Sequence, residues 1–218
     1  MSKKRKTTVI RAATPEDAEF LARIILIAGR AHVRRGIWEV VLGGTEEDCL
    51  RFLTLLVATD SPHLFHYSSF LIAEVEGHPA AALGGYDPTM RGYNALTLAV
   101  REVQRAMRSV ETHAPPETGA QKVLDCVPDT VEGAWVIDSV AAVPRYRRQG
   151  IVSRLLGEIL EKGRRAGFKK AQVNIYIGNI PAQKAYEKFG FKIHGEKRSA
   201  FFEDEIDSPG MASLLVDL

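Results

Sequence analysis

The chain has 218 residues, 45% of them apolar and 26% charged, an ordinary globular composition that suits one domain with a sizeable core better than two small ones. Twenty-nine basic against 27 acidic residues leave a net charge of +2, which supplies no broad cationic field and excludes nucleic acid as the default partner. Cys49 and Cys126 are far apart and form no disulfide framework, while the absence of a secretory leader and of any apolar run near the ~20 residues needed to span a bilayer predicts a soluble, cytoplasmic protein without a membrane segment.

Lys3, Lys4, Arg5 and Lys6 read as a solvated tail. Thr8 to Arg11 reads as a first strand. Thr14-Pro15-Glu16-Asp17 then supplies a cap, a proline at the first helical position and acids in the first turn, and Ala18, Leu21, Ala22, Ile25 and Ile27 carry a helix to about Gly29. Ala31 to Gly44 is mixed, with His32, Arg34, Arg35, Trp38 and Glu39 among apolar residues. Thr45 caps a second helix that sets Cys49, Phe52, Leu53 and Leu56 on one side. Ser69–Val75 and Pro79–Tyr86, joined by Glu76-Gly77-His78, read as a hairpin.

From Asp87 the pattern changes. A helix from Leu96 to about Val110 precedes a stretch with Pro115, Pro116, Gly119, Pro128 and Gly133. Residues 88–132 hold too few apolar side chains for a core of their own and read as an elaborated insertion within a single domain, 1–218. Strand signal returns at Trp135–Val143. A loop and a helix to about Ala166 follow, then a strand at Ala171–Ile177, a short helix from Pro181 to Gly190, and closing strands at Phe191–Gly195 and Met211–Val216. That order predicts a mixed α/β sheet flanked by helices.

The turn Pro144-Arg145-Tyr146-Arg147-Arg148-Gln149-Gly150 leads out of an apolar strand into a helix whose Ile151, Val152, Leu155, Leu156, Ile159 and Leu160 recur at helical spacing. Free amides and the helix dipole make its first turn an anion site, Gly150 permits close backbone approach, and the arginines add charge-assisted donors. A pyrophosphate is the ligand this chemistry suits. The loop matches neither the G-x-x-x-x-G-K-[ST] nor the G-x-G-x-x-G pattern.

The strand, Pro144 and Arg147-Arg148-Gln149-Gly150-Ile151-Val152-Ser153 resemble the coenzyme-A loop of the GNAT superfamily of N-acyltransferases, departing from it at Val152, where the family has Gly or Ala. Asn179, Ala182, Tyr186, Gly190 and Phe191 resemble that family's second element at matching spacing, and Thr14-Pro15-Glu16-Asp17 resembles its start. The resemblance covers roughly residues 8–86 and 133–218 and leaves out the insertion. It implies a mostly antiparallel sheet splayed between its fourth and fifth strands, with the insertion ahead of the fourth.

The activity it implies is transfer of an acyl group, acetyl first, from acetyl-CoA as co-substrate to a primary amine on a small molecule or peptide. Homodimers, common in the family, are the assembly it allows. By the same resemblance Arg147, Arg148, Gln149, Gly150, Ile151, Val152 and Ser153 hold the pyrophosphate, and backbone at Val140, Ala141 and Ala142 pairs with the pantetheine arm. Tyr186 protonates the departing thiolate or is a core position, and Asn179 contacts the cofactor or caps the following helix.

Asp138 interrupts an apolar strand, where burial raises a carboxylate into the range of a general base; a structural hydrogen bond is the other reading. Glu74, Glu39 or a water chain are further bases. Arg34, Arg35, Trp38, the segment after Asp87 and the run Phe201-Phe202-Glu203-Asp204-Glu205 fall on the acceptor side, the acidic run reading equally as a solvated loop. His63-x-x-His66 lacks a third ligand nearby, so no metal site is expected. No G-x-S-x-G occurs and neither cysteine has a histidine partner, which favours direct attack by the amine. A non-catalytic acyl-CoA-binding or sensor module of the same fold is the second reading.

Overall fold

The computed structural model describes residues 7–108 and 117–218. The basic tail at Lys3–Lys6, the expected helix end at Val110 and the Pro115-Pro116 pair lie outside the described residues. Among the described residues, seven strands form one sheet: β1 (Thr8–Ala12), β2 (Phe70–Val75), β3 (His78–Tyr86), β4 (Ala134–Ala142), β5 (Lys170–Tyr176), β6 (Lys192–Arg198) and β7 (Gly210–Asp217). Their spatial order is β1-β2-β3-β4-β5-β7-β6, antiparallel throughout except for the parallel β4–β5 pair.

Helices cover both faces. On one side lie α1 (Ala18–Arg30) and α3 (Glu46–Val57), with α2 (Ile37–Leu42) at their end. Their buried Leu21, Ile25, Leu53 and Leu56 pack with Phe70, Ile72, Tyr86 and Val136 of the sheet. Thr45 caps α3 by accepting the Asp48 amide, while the Asp48 carboxylate accepts the Thr45 amide. Between β3 and β4 the chain forms α4 (Pro88–Arg91), α5 (Tyr93–Arg108) and α6 (Glu117–Cys126). Ala99 and Val103 of α5 join the α1–α3 core, and Val123 and Cys126 of α6 join α2 and the end of the sheet. The stretch expected as an elaborated connection is therefore mostly helix, borrowing its burial from neighbours.

The opposite face carries α7 (Ile151–Arg165) and α8 (Ile180–Glu187). The acidic run expected on the acceptor side or as a solvated loop is helical, with Glu203, Asp204 and Glu205 exposed. It forms α9 (Ala200–Ile206), with Phe202 fully buried against Tyr176 and Glu205 ion-paired to Arg35 at 3.2 Å.

Two features of the sheet position the site. First, β4 bulges: Ala82 pairs Ala141 and Gly84 pairs Asp138, so Ser139 and Val140 together oppose Leu83, with Ser139 at φ 52°. Second, β4 and β5 bond only from Ala134–Lys170 to Ile137–Val173; beyond that the strands part.

The seat of α7 depends on glycines. A Cβ on Gly85 would lie 2.4 Å from Ile159 Cγ1 and 2.9 Å from Trp135 Nε1, and one on Gly163 would lie 2.9 Å from the Trp135 ring. Gly157, on the same helix, has nothing within 4 Å of its Cβ position. Gly85→Ala is therefore expected to lower stability by about 1–3 kcal/mol through overpacking, and Gly157→Ala to raise it by about 0.5–1 kcal/mol, measured by urea unfolding. Equal effects at the two positions would contradict this account of how α7 is seated.

Candidate active site

Past the parting, β4 presents backbone to open space on its β5 side. The Val143 amide donates to Ala80 O at 2.9 Å, toward β3. In a pleated strand the preceding residue points the other way, so Ala142 turns its amide and carbonyl into the gap. Arg147 Nε donates to that Ala142 carbonyl at 3.3 Å, which lays the arginine along the free edge.

The chain then turns into α7 through two left-handed residues, Arg148 at φ 59° and Gly150 at φ 75°. A Cβ on Gly150 would meet nothing within 4 Å, so the backbone angle, and not crowding by the protein, favours glycine there. Arg154 is the first residue whose amide reaches back to Gly150 O, and no side chain caps the helix. The amides of Ile151, Val152 and Ser153 therefore lack intrahelical partners. Dipole and alternating backbone conformation together make a concavity for an anion. Arg147, Arg148, Gln149 and Ser153 are exposed around it, with Gln149 Nε2 folded onto Arg145 O at 3.0 Å. Val152 is half-buried and packs against the α7 core, so its side chain does not occupy the concavity.

Asp138 lies where the strands part, on the face that also carries Val136 and Tyr86. Solvent reaches part of the residue, yet protein surrounds its carboxyl group. Its side-chain hydrogen-bond partner is the Ser139 hydroxyl, at 2.9 Å. Burial pushes the Asp138 carboxyl above its ordinary range, opposed by hydrogen bonds from Ser139. Tyr186, on α8, is buried with its ring 5.7 Å from that of Phe191, and its hydroxyl has no hydrogen-bond partner among the described residues. Burial, then the Asp138 charge, hold the Tyr186 phenol well above its ordinary value, so it stays protonated at neutral pH.

The sequence model of the acetyltransferase (GNAT) family matches residues 45–191, more than half of the chain. The chain belongs to the GNAT acetyltransferase family. A solved acetyltransferase superposes with a TM-score of 0.68 at 22% identity, over 96% of this chain and 98% of its own. An N-acetyltransferase from Staphylococcus aureus Mu50 gives 0.66 at 21%, over 95% and 100%. The N-acetylglutamate synthase from Neisseria gonorrhoeae, solved with coenzyme A and N-acetyl-glutamate, gives 0.51 at 14%, over 99% of this chain and 36% of its own. At such identities the likeness shows the GNAT fold alone. No curated protein matches the sequence.

Within this GNAT fold several candidate residues have partners of their own. Asn179 caps α8, its Oδ1 accepting the Ala182 amide at 3.3 Å. Glu39 is buried against Arg30 and accepts the Gly36 amide, and Glu74 pairs with Arg11 at 2.7 Å, so both alternative bases are bound in the fold. Trp38 is buried against Phe65 and Gly29. His63 Nδ1 accepts the Phe65 amide, which puts its proton on Nε2, 3.0 Å from Leu56 O, so both ring nitrogens serve the fold.

Three further tyrosines carried no signal in the sequence. Tyr86 and Tyr176 end β3 and β5, and Tyr93 opens α5 in the insertion; the Asp138 charge helps hold all three phenols above their ordinary values, after burial. Tyr176 donates its hydroxyl hydrogen to Gly29 O and accepts the Ile37 amide at 3.2 Å, clamping the loop between α1 and α2. Tyrosines at strand ends that converge on a lone acid were the available clue.

A carboxyl whose folded pKa exceeds its unfolded value of about 3.9 binds more protons when folded, so its contribution to stability is lost as pH rises through the folded value. Above that folded value the ionised carboxylate weakens the free protein. Asp138→Asn is expected to raise stability at pH 8, with a smaller effect near pH 4, followed by calorimetric unfolding. A less stable variant at pH 8 would show instead that the carboxylate supports the fold.

Proposed function

We propose that this protein transfers an acetyl group from acetyl-CoA to a primary amine by direct attack, with Asp138 as general base and Tyr186 as general acid. The parting of β4 from β5 is the observation that carries the reading: it leaves backbone donors and acceptors free for an extended arm, and it lies between the anion concavity and the Asp138–Tyr186 pair.

The residues suit coenzyme A. The amides of Ile151, Val152 and Ser153, with Arg147, Arg148, Gln149 and the left-handed Gly150, would hold the pyrophosphate, and the strand from Val140 through Ala141 to Ala142, with the Ala142 groups facing the gap and those of Ala141 turned to β3, would run beside the pantetheine arm. Asn179, engaged as a cap, retains its amide hydrogens for a contact at the same end. The thioester supplies an activated acyl carbon; this chain's own groups do the rest. An acceptor amine has a pKa near 10 and arrives as an ammonium, so Asp138 first removes a proton from it. Nitrogen then bonds to the acyl carbon as the carbon–sulfur bond breaks, Tyr186 gives its hydroxyl proton to sulfur, the proton left on nitrogen returns through solvent to the phenolate, and Asp138 releases the proton it took to solvent.

Calorimetric titration should show acetyl-CoA binding, and an amine panel should release free thiol. Tyr186→Phe should cut kcat by about 100-fold with acetyl-CoA affinity kept, and Asp138→Asn should abolish the rise of rate with pH. Binding without thiol release would identify a non-catalytic acyl-CoA module. Thiol release untouched by either substitution would remove both residue assignments.

A further inference from the structure

Arg147 holds the strand group that a coenzyme arm would use. Past the parting, the main-chain groups of Ala141 turn to β3 and those of Ala142 face the gap. Ala142 is only 7% exposed, and a carbonyl so nearly buried needs a partner. Its partner is Arg147, whose Nε donates to Ala142 O at 3.3 Å. The guanidinium thus stands where a ligand running along the strand would set an amide.

That bond is the side chain's single attachment among the described residues, and its two terminal nitrogens have no partner there. The backbone beneath is fixed separately. The Tyr146 amide donates to Val143 O at 2.9 Å, the Arg147 amide donates to Pro144 O at 3.2 Å, and the Tyr146 side chain is buried in the α7 core. The guanidinium can therefore leave the strand while the turn stays as it is. Neighbouring arginines do not share its position. Arg145 lies over the Tyr146 ring, 4.8 Å from the centroid, and Arg154 donates to Thr8 O at 3.1 Å. Arg148 is exposed with no partner among the described residues. Arg147 alone borders both features of the site: it touches the free edge, and it stands one residue before the left-handed Arg148 and three before the left-handed Gly150. A pyrophosphate attracts a guanidinium more strongly than a neutral carbonyl does.

Resting on the coenzyme-A reading above, we propose that Arg147 is a place-holder that couples the two halves of the coenzyme site. Without ligand it satisfies the Ala142 carbonyl. When a pyrophosphate enters the concavity, the guanidinium moves to it and leaves the carbonyl to the pantetheine arm. An arm arriving alone must displace the arginine, against about one net hydrogen bond, whereas the complete coenzyme meets a carbonyl already released.

The test reads binding to the intact protein, by calorimetry and NMR titration. S-acetylpantetheine, which has the arm and no pyrophosphate, should bind Arg147→Ala about fivefold more tightly than wild type. Acetyl-CoA should show no such gain, since its pyrophosphate loses the arginine that its arm no longer meets. Arg147→Met, which keeps the apolar stem and removes the donors, should behave alike. ADP, which has the pyrophosphate and no arm, should shift the Ala142 carbonyl resonance in wild type and leave it in place in Arg147→Ala. Equal or weaker binding of S-acetylpantetheine to both variants would overturn the proposal. So would an equal gain for acetyl-CoA, the mark of an arginine that blocks the arm and ignores the pyrophosphate. Where the bare arm binds too weakly to rank, a wild-type Ala142 resonance that ignores ADP overturns the proposal by itself. Failure of wild type to bind acetyl-CoA would instead remove the coenzyme-A reading beneath it.

Discussion

The hydrogen-bond ladder between β4 and β5 ends at Ile137 and Val173, and the chemistry of this protein grows from the backbone left free there. Ser139 takes a left-handed conformation, inserts one extra residue opposite Leu83 and bends β4 away from its parallel neighbour. Up to that point β4 is an ordinary central strand. After it, the β3 side stays paired while the β5 side offers main-chain groups to a ligand. Tight contact of Gly85 and Gly163 with Trp135 and Ile159 holds α7 against the same strands, so the open edge and the helix's free amides keep a fixed relation.

Electrostatics follow from this geometry. A bulge beside Asp138 leaves its carboxyl at the mouth of the parting, surrounded by protein, with the Ser139 hydroxyl as its side-chain partner. Tyr186 enters from the other face and is held in its protonated form by burial and by the same charge. The two groups thereby answer to the same environment: the carboxyl is pushed toward holding a proton, and the phenol keeps its own. A carboxylate so placed, once ionised, is also a weakness in the free fold, a common bargain between stability and function.

Much of this was legible in the sequence. The apolar strand, arginine-rich turn, Gly150 and the Ile151–Leu160 periodicity marked the anion loop, and the spacing from Asn179 to Phe191 marked the second element. Asp138 announced itself as an acid in an apolar strand. The bulge did not, because Ser139 has no residue-type preference that foretells a left-handed conformation. The burial of Trp38 and Phe202 was not legible because α2 and α9 are short, and packing against α6 and the sheet end decides which sides they bury. Val152 proved simpler than its departure from the family pattern suggested, since its side chain packs away from the loop concavity.

The most direct measurement is residue-resolved amide hydrogen exchange, by NMR, with and without saturating acetyl-CoA. The account predicts slowed exchange at Ala142 and at Ile151, Val152 and Ser153, the amides facing the gap and the anion concavity. It predicts little change at Val143, whose amide is already bonded to Ala80 across β3. Protection confined to other parts of the sheet, with those four amides unaltered, would contradict the claim that the parting of β4 and β5 is where the coenzyme binds.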